Sequence, residues 1–178
     1  SPSLPGEVIR YAYQQAPAMG SDLIRWAQQE QISAAPAGLL YAAAKACDLH
    51  TLTNLVRKGL QPDGSAASAL RPLIVSGRER MAVELLRVGL QVRGDDYEAL
   101  DTCLRGHAPE AAAALLERGV ELDGYLAWAA KQDIPLDTQA RECLDRLTEQ
   151  AGHPSAQFHA QLLAEKQTAH QAPGLTQQ

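Results

Sequence analysis

Residues 55–64, 85–94 and 115–124 read LVRKGLQPDG, LLRVGLQVRG and LLERGVELDG. The three align without gaps at a spacing of 30. Self-similarity at a fixed period marks an architecture built from one structural unit used several times. Gly59, Gly89 and Gly119 form the first recurring set of glycines, and Gly64, Gly94 and Gly124 the second. Glycine tolerates the left-handed backbone that closes a helix, so the first set reads as helix ends. The second set reads as turn residues ahead of the next helix.

Working outward, the segments between glycines carry two short helical stripes per unit. Leu70, Leu73 and Ile74 follow i, i+3, i+4 spacing, and Met81, Leu85 and Leu86 form a second stripe. Leu100, Cys103 and Leu104, then Ala111, Leu115 and Leu116, repeat the scheme. So do Leu40, Ala43 and Ala44, then Thr51, Leu55 and Val56. One such pair is too small to close a core, so neighbouring pairs are expected to stack. Helix starts are expected at Asp95 with Glu98 as a capping box, at Pro109 and Glu110, and at Ser21 and Asp22 after Gly20.

The composition agrees with a helical reading. Of 178 residues, 46% are apolar but only 4% aromatic, and alanine and leucine supply much of the apolar content. The expected fold class is therefore all-α, a solenoid of stacked helix-turn-helix repeats. A net charge of −5 argues against a nucleic-acid partner, which needs a concentrated cationic face. No apolar run approaches the roughly 18 residues of a membrane span. Cys47, Cys103 and Cys143 are odd in number, widely spaced and without a CxxC pair, so they read as reduced core residues. The chain opens on Ser1, which reads as a processed or trimmed chain or a piece of a longer one.

These residues carry a family resemblance. The array resembles the ankyrin repeats, whose unit is a helix, a tight turn and a helix closed by Leu-Leu-x-x-Gly. LLRVG and LLERG match that closure, with LVRKG as a variant, and the family's buried leucine falls on Leu40, Leu70 and Leu100. The period is 30 rather than about 33, and the Thr-Pro-Leu-His signature is absent. The missing length falls in the connector, which implies shortened loops in place of the family's β-hairpin fingers. The resemblance is clear over 35–130. The expected array spans 1–152, with units near 7–34, 35–64, 65–94, 95–124 and 125–152. Helices are expected at 8–13 and 23–29 in the first unit and at 125–131 and 138–148 in the last. A further helix is expected over 153–170, centred on 155–168, with a disordered tail at 171–178.

Chemistry-bearing residues are few. His50, His107, His153, His159 and His170 lack the i, i+4 or Cys/His spacing of a metal site. In the alignment His107 stands in the tight interhelical turn, where the other units have Gly77 and Cys47. Asp95, Asp96, Glu98 and Asp101 read as caps and dipole partners rather than a catalytic dyad. No nucleophile elbow, phosphate loop or metalloprotease motif is present. No enzymatic activity, metal or cofactor is expected.

What the resemblance implies is a protein-binding module that meets its partner with loop tips and the concave side of the first helices. Carried onto this sequence, the tips are Gln61, Asp63, Gln91, Arg93, Glu121 and Asp123, and the helix surface offers Tyr97, Asp101, Tyr125 and Trp128. Trp128 has two readings, an anchor for a partner or a cap on the last unit's core. Charge has two as well. Residues 65–94 carry five arginines against Glu79 and Glu84, whereas 95–124 carry eight acidic residues against Arg105 and Arg118. The units either neutralise one another across a solvated seam or form a dipolar recognition face. The expected setting is a monomeric, cytoplasmic scaffold of bacterial style. Two other roles share the features: an immunity or inhibitor protein covering a toxin, and the targeting domain of a larger secreted effector.

Overall fold

A computed structural model describes residues 3–4, 8, 11–12, 15–29, 33–34, 39–62 and 64–151. Among these, nine helices are present, and the chain divides into two compact units, Ser1–Val92 and Arg93–Gln178. Among the described residues no helix is long and apolar enough to cross a membrane. The expected C-terminal helix and tail lie outside the described residues, as does Asp63.

The first unit contains α1 (Pro17–Gln29), α2 (Leu39–Lys45), α3 (Leu49–Arg57), α4 (Ala67–Val75) and α5 (Glu79–Arg87). Helices α2 and α3 make one hairpin, and α4 and α5 the next. First helix packs on first helix and second on second. Leu40, Leu55, Leu70, Leu73 and Leu85 are buried between them, as the stripes predict, and Leu52, outside the stripes, is buried with them. Truncating any one to alanine removes roughly 2–5 kcal/mol.

Two features of this unit depart from expectation. Strands β1 (Ser3–Leu4) and β2 (Ser33–Ala34) pair in parallel, with Ser3 opposite Ser33 and Leu4 opposite Ala34. Two residues are too few to leave a period-2 pattern. Helix α1 starts at Pro17 rather than at Ser21 and Asp22, and Gly20 is a buried position inside it. Proline at a helix start gives up a donor that would be unbonded anyway, and that preference outweighs the glycine. Of the expected helix at 8–13, Val8, Tyr11 and Ala12 are described and are helical.

The second unit contains α6 (Tyr97–Arg105), α7 (Pro109–Glu117), α8 (Leu122–Ala130) and α9 (Thr138–Ala151). Helix α6 packs against all three others. Leu100, Cys103, Leu104, Leu115, Tyr125, Leu126, Cys143 and Leu144 fill the interior. Cys103 and Cys143 are reduced and buried in this core, and Cys47 is reduced and half-buried. Pro109 occupies the first turn of α7 as expected. The cap of α6 is Asp96, not Asp95: its carboxylate accepts from Ala99 N at 3.3 Å, while Asp95 pairs with Arg93 in the preceding turn.

The turns repeat with the sequence. Where the first helix of each pair ends, Cys47, Gly77 and His107 have φ of 54°, 74° and 54°. In each turn two amides reach back into the helix: Cys47 N to Ala44 O and Asp48 N to Ala43 O, Gly77 N to Ile74 O and Arg78 N to Leu73 O, His107 N to Leu104 O and Ala108 N to Cys103 O. Where the second helix ends, Gly59, Gly89 and Gly119 have φ of 93°, 116° and 105°, and the same bond pair recurs. Each is a left-handed helix closure of the Schellman type. The first glycine set thus holds equivalent points in three successive hairpins.

The second set does not. Gly64 has φ of 72°, Gly94 sits in a turn without positive φ, and Gly124 lies inside α8. Thirty residues beyond α6 a first helix falls due at 127–135, yet α8 begins at Leu122. The offset of five is absorbed by a longer connector, 131–137, after which α9 starts at Thr138, one residue from the place the period assigns it.

Candidate functional site

The displaced helix α8 creates the most distinctive surface of the second unit. Thirty residues before Tyr97 the chain has Ala67, a buried alanine. A tyrosine fits at 97 because Gly124 of α8 has no side chain. A Cβ there would overlap the Tyr97 phenol oxygen and lie 2.5 Å from its Cζ. Glycine at 124 thus serves close approach, whereas its sequence position alone reads as a turn. The Tyr97 ring then meets Trp128 at 6.4 Å between centroids, and Tyr125 meets the same indole at 5.9 Å. Both separations suit tilted aromatic packing.

Tyr97 and Trp128 are half-buried. Tyr125 is not a surface residue, which corrects its expected role: it is fully buried. Its helix starts early, and that rotates the residue into the core. Its hydroxyl donates to Asp101 Oδ1 at 2.9 Å. Burial first, then the Asp101 charge and hydrogen bond, holds the phenol far above its ordinary pKa, so it remains a proton donor.

Asp101 joins two helices and the connector. Its Oδ2 accepts from Arg105 Nε at 2.7 Å, one helical turn on. The same guanidinium donates to Ile134 O at 2.6 Å and Pro135 O at 3.3 Å. Two residues further, His107 Nε2 and Asp137 Oδ2 lie 2.7 Å apart. The other oxygen of Asp137 caps α9 by accepting from Ala140 N at 2.7 Å. That backbone hydrogen bond, followed by the one from His107, draws the Asp137 pKa below its ordinary value. The carboxylate is therefore the acceptor and His107 Nε2 the donor. The left-handed turn that holds His107 aims its ring at the connector, while Arg105 grips the connector's carbonyls.

The other expected residues divide. Glu121 is exposed at the N-cap of α8, and its backbone N–H donates to Gly94 O at 2.9 Å. Asp123 is half-buried within α8 rather than on a loop tip. Arg93 is exposed and paired with Asp95 at 3.4 Å. Gln61 and Gln91 belong to the other unit: Gln91 is exposed, whereas Gln61 folds back to donate to Gly59 O at 3.2 Å. Tyr97, Asp101, Tyr125 and Trp128 are thus the expected residues that the second unit brings into contact, through the two ring pairs and the Tyr125–Asp101 hydrogen bond.

Sequence reading overlooks Arg105, Asp137 and the carbonyls at 134 and 135. Only the i, i+4 spacing of Asp101 and Arg105 signals any of this in advance. Among the described residues no group of three His, Cys, Asp or Glu side chains is placed to hold a metal ion. The class that the fold defines is an all-helical protein of recurring helical hairpins. Comparisons with protein-family models, curated proteins and solved structures give no match.

Proposed function

We propose that the chain is an ankyrin-like repeat scaffold that acts by binding a protein partner, with the face of α6 and α8 around Tyr97 and Trp128 as its anchor. The observation that carries this reading is the half-open Tyr97–Trp128 pair. Large rigid aromatic side chains held in place before binding lose little entropy on contact, which is why such residues dominate the energetics of protein interfaces. This pair is held by the Gly124 contact below and by Tyr125 at its side. The repeating turn geometry supports a scaffold: regular, short-range structure gives each first helix a fixed place from which to present side chains.

The test compares the wild-type chain with Tyr97→Ala as baits in cells of the source organism, with quantitative mass spectrometry. Any protein enriched by the wild type is then purified and titrated calorimetrically against both chains. We expect a saturable complex that weakens by at least tenfold on Tyr97→Ala, the loss typical of an interface anchor. Unchanged affinity in a variant with native circular dichroism removes the proposal.

A further inference from the structure

We infer that the first unit carries a docking surface of its own, the exposed face of α2 and α4, and that its occupant is an acidic protein segment with an apolar residue among its carboxylates. Among the described side chains of α2 only Tyr41 and Lys45 are exposed, and on α4 only Arg71 and Val75. Each pair is spaced i, i+4 and so stands on one face of its helix. The pairs are 30 residues apart, at equivalent points of two hairpins whose first helices pack together. Just beyond Lys45 and Val75, Cys47 Sγ and Ser76 Oγ lie 3.5 Å apart, which sets the C-terminal ends of α2 and α4 at one level. This register puts Tyr41 opposite Arg71 and Lys45 opposite Val75.

The charge of this face has one sign. Neither helix carries an acidic residue, and Lys45 Nζ lies 5.9 Å from the centre of the Tyr41 ring, a cation–π contact between two exposed side chains. The charged groups around it do not reverse the sign. Asp48, past the end of α2, accepts from Thr51 N at 3.2 Å and from Thr51 Oγ1 at 2.7 Å as the cap of α3. Asp22 and Arg25 of α1, which packs on α2, pair with one another at 3.2 Å. Past Val75 an exposed Arg78 precedes the half-buried Glu79 at the head of α5, and His50 is exposed on α3. Glu30 and Asp63 lie outside the described residues. Over residues 1–92 Lys and Arg outnumber Asp and Glu nine to seven, whereas over 93–178 the acidic residues lead fourteen to seven. Carboxylates therefore suit Lys45 and Arg71, and an apolar residue between them covers Val75, which is 80% exposed. A basic segment would meet like charge, and a purely apolar one would strip water from both cations without replacing it. A nucleic acid needs a denser array of cations than the two on this face.

The test follows the amide NMR spectrum of the full chain during titration with a short peptide of glutamate, glycine and leucine. Its counterparts carry serine for leucine or lysine for glutamate, and oligothymidylate stands for nucleic acid. The expected result is a saturable shift of amides in α2 and α4 with the glutamate–leucine peptide, weaker binding of the serine peptide, and none of the other two. Affinity falls about tenfold in the Lys45→Glu, Arg71→Glu chain, by less in the milder Lys45→Gln, Arg71→Gln chain and in Val75→Ser, and weakens as salt is raised. It holds within about twofold in Arg80→Glu, which reverses an exposed arginine of α5 away from this face. Circular dichroism of each variant confirms its fold. No saturable shift with the glutamate–leucine peptide, an equal response to oligothymidylate, an affinity indifferent to both Lys45 and Arg71 pairs, or an equal loss in Arg80→Glu overturns the inference. The Tyr97→Ala chain separates the two readings. Peptide binding that persists there while partner capture is lost supports both, and peptide binding lost with Tyr97 places the acidic segment on the other unit and overturns this one.

Discussion

Cys47 and His107 hold a backbone conformation that a Cβ disfavours by roughly 1–2 kcal/mol, and both do so at a turn where the intervening unit has Gly77. Replacing Cys47 by glycine relieves that strain but gives the unfolded chain more freedom. The expected net gain in stability is about 0.5–1 kcal/mol by urea denaturation. The reverse substitution is cleaner. A Cβ at Gly89 meets no atom within 4 Å, so Gly89→Ala reports the backbone cost alone, a loss of about 1–2 kcal/mol. A neutral Gly89→Ala would mean that the closure at this helix end is not left-handed. Asp137 makes a separate prediction in acid. Its pKa is lowered in the folded chain, so its contribution is present above the unfolded value near 4 and is lost as pH falls through the folded value. Asp137→Asn should flatten that part of the stability–pH curve, measured as urea midpoints from pH 2 upward. Asp145 acts with the opposite sign: burial and the nearby Glu149 raise its pKa, so protonation favours the folded chain.

At the level of elements, the hairpins that follow the period were legible because their signals are redundant. Leucine stripes, closing glycines and Pro109 all mark the same boundaries, and Leu40, Leu70 and Leu100 are buried as their positions require. Helix α8 was legible as the helix expected at 125–131, but its start at Leu122 was not, since LLERGVELDG keeps the leading apolar pair and both glycines of its two predecessors while the chain after Glu121 turns helical at once. What displaces the helix is tertiary: Leu122, Tyr125 and Leu126 are buried together when α8 starts early. Local pattern cannot weigh that gain. The aromatic half of the candidate site follows from the same displacement, and so do the burial of Tyr125 and the long connector. The Tyr97–Gly124 contact provides the check. Gly124→Ala should cost about 1–3 kcal/mol by forcing the tyrosine aside, although alanine is the better helix former. In the Tyr97→Ala background the same substitution should cost nothing or stabilise slightly. A double-mutant cycle with no coupling energy would remove Tyr97 from its seat on α8.

For the chain as a whole, the sequence period should have an energetic counterpart. Amide exchange followed by NMR is expected to show protection that rises and falls with a 30-residue period across 39–117. Minima belong at the paired turns, and the period should be broken over 122–137, where α8 and its connector depart from it. Protection without periodicity would mean that the repeated geometry carries unequal stability. Charge is legible at this scale too, because the acidic excess of 95–124 can be counted, but which carboxylates remain exposed cannot. Asp96 and Asp101 are consumed by a cap and an arginine, whereas Glu98 and Glu121 are left at the surface. The turns at 47, 77 and 107 have one more implication. A single backbone socket, reproduced at regular intervals, has received a thiol, a bare hydrogen and an imidazole without altering the helices that enter and leave it. New chemistry can be mounted at these sockets while the interior is left alone, and His107, wired to Asp137, shows one such mounting already in use.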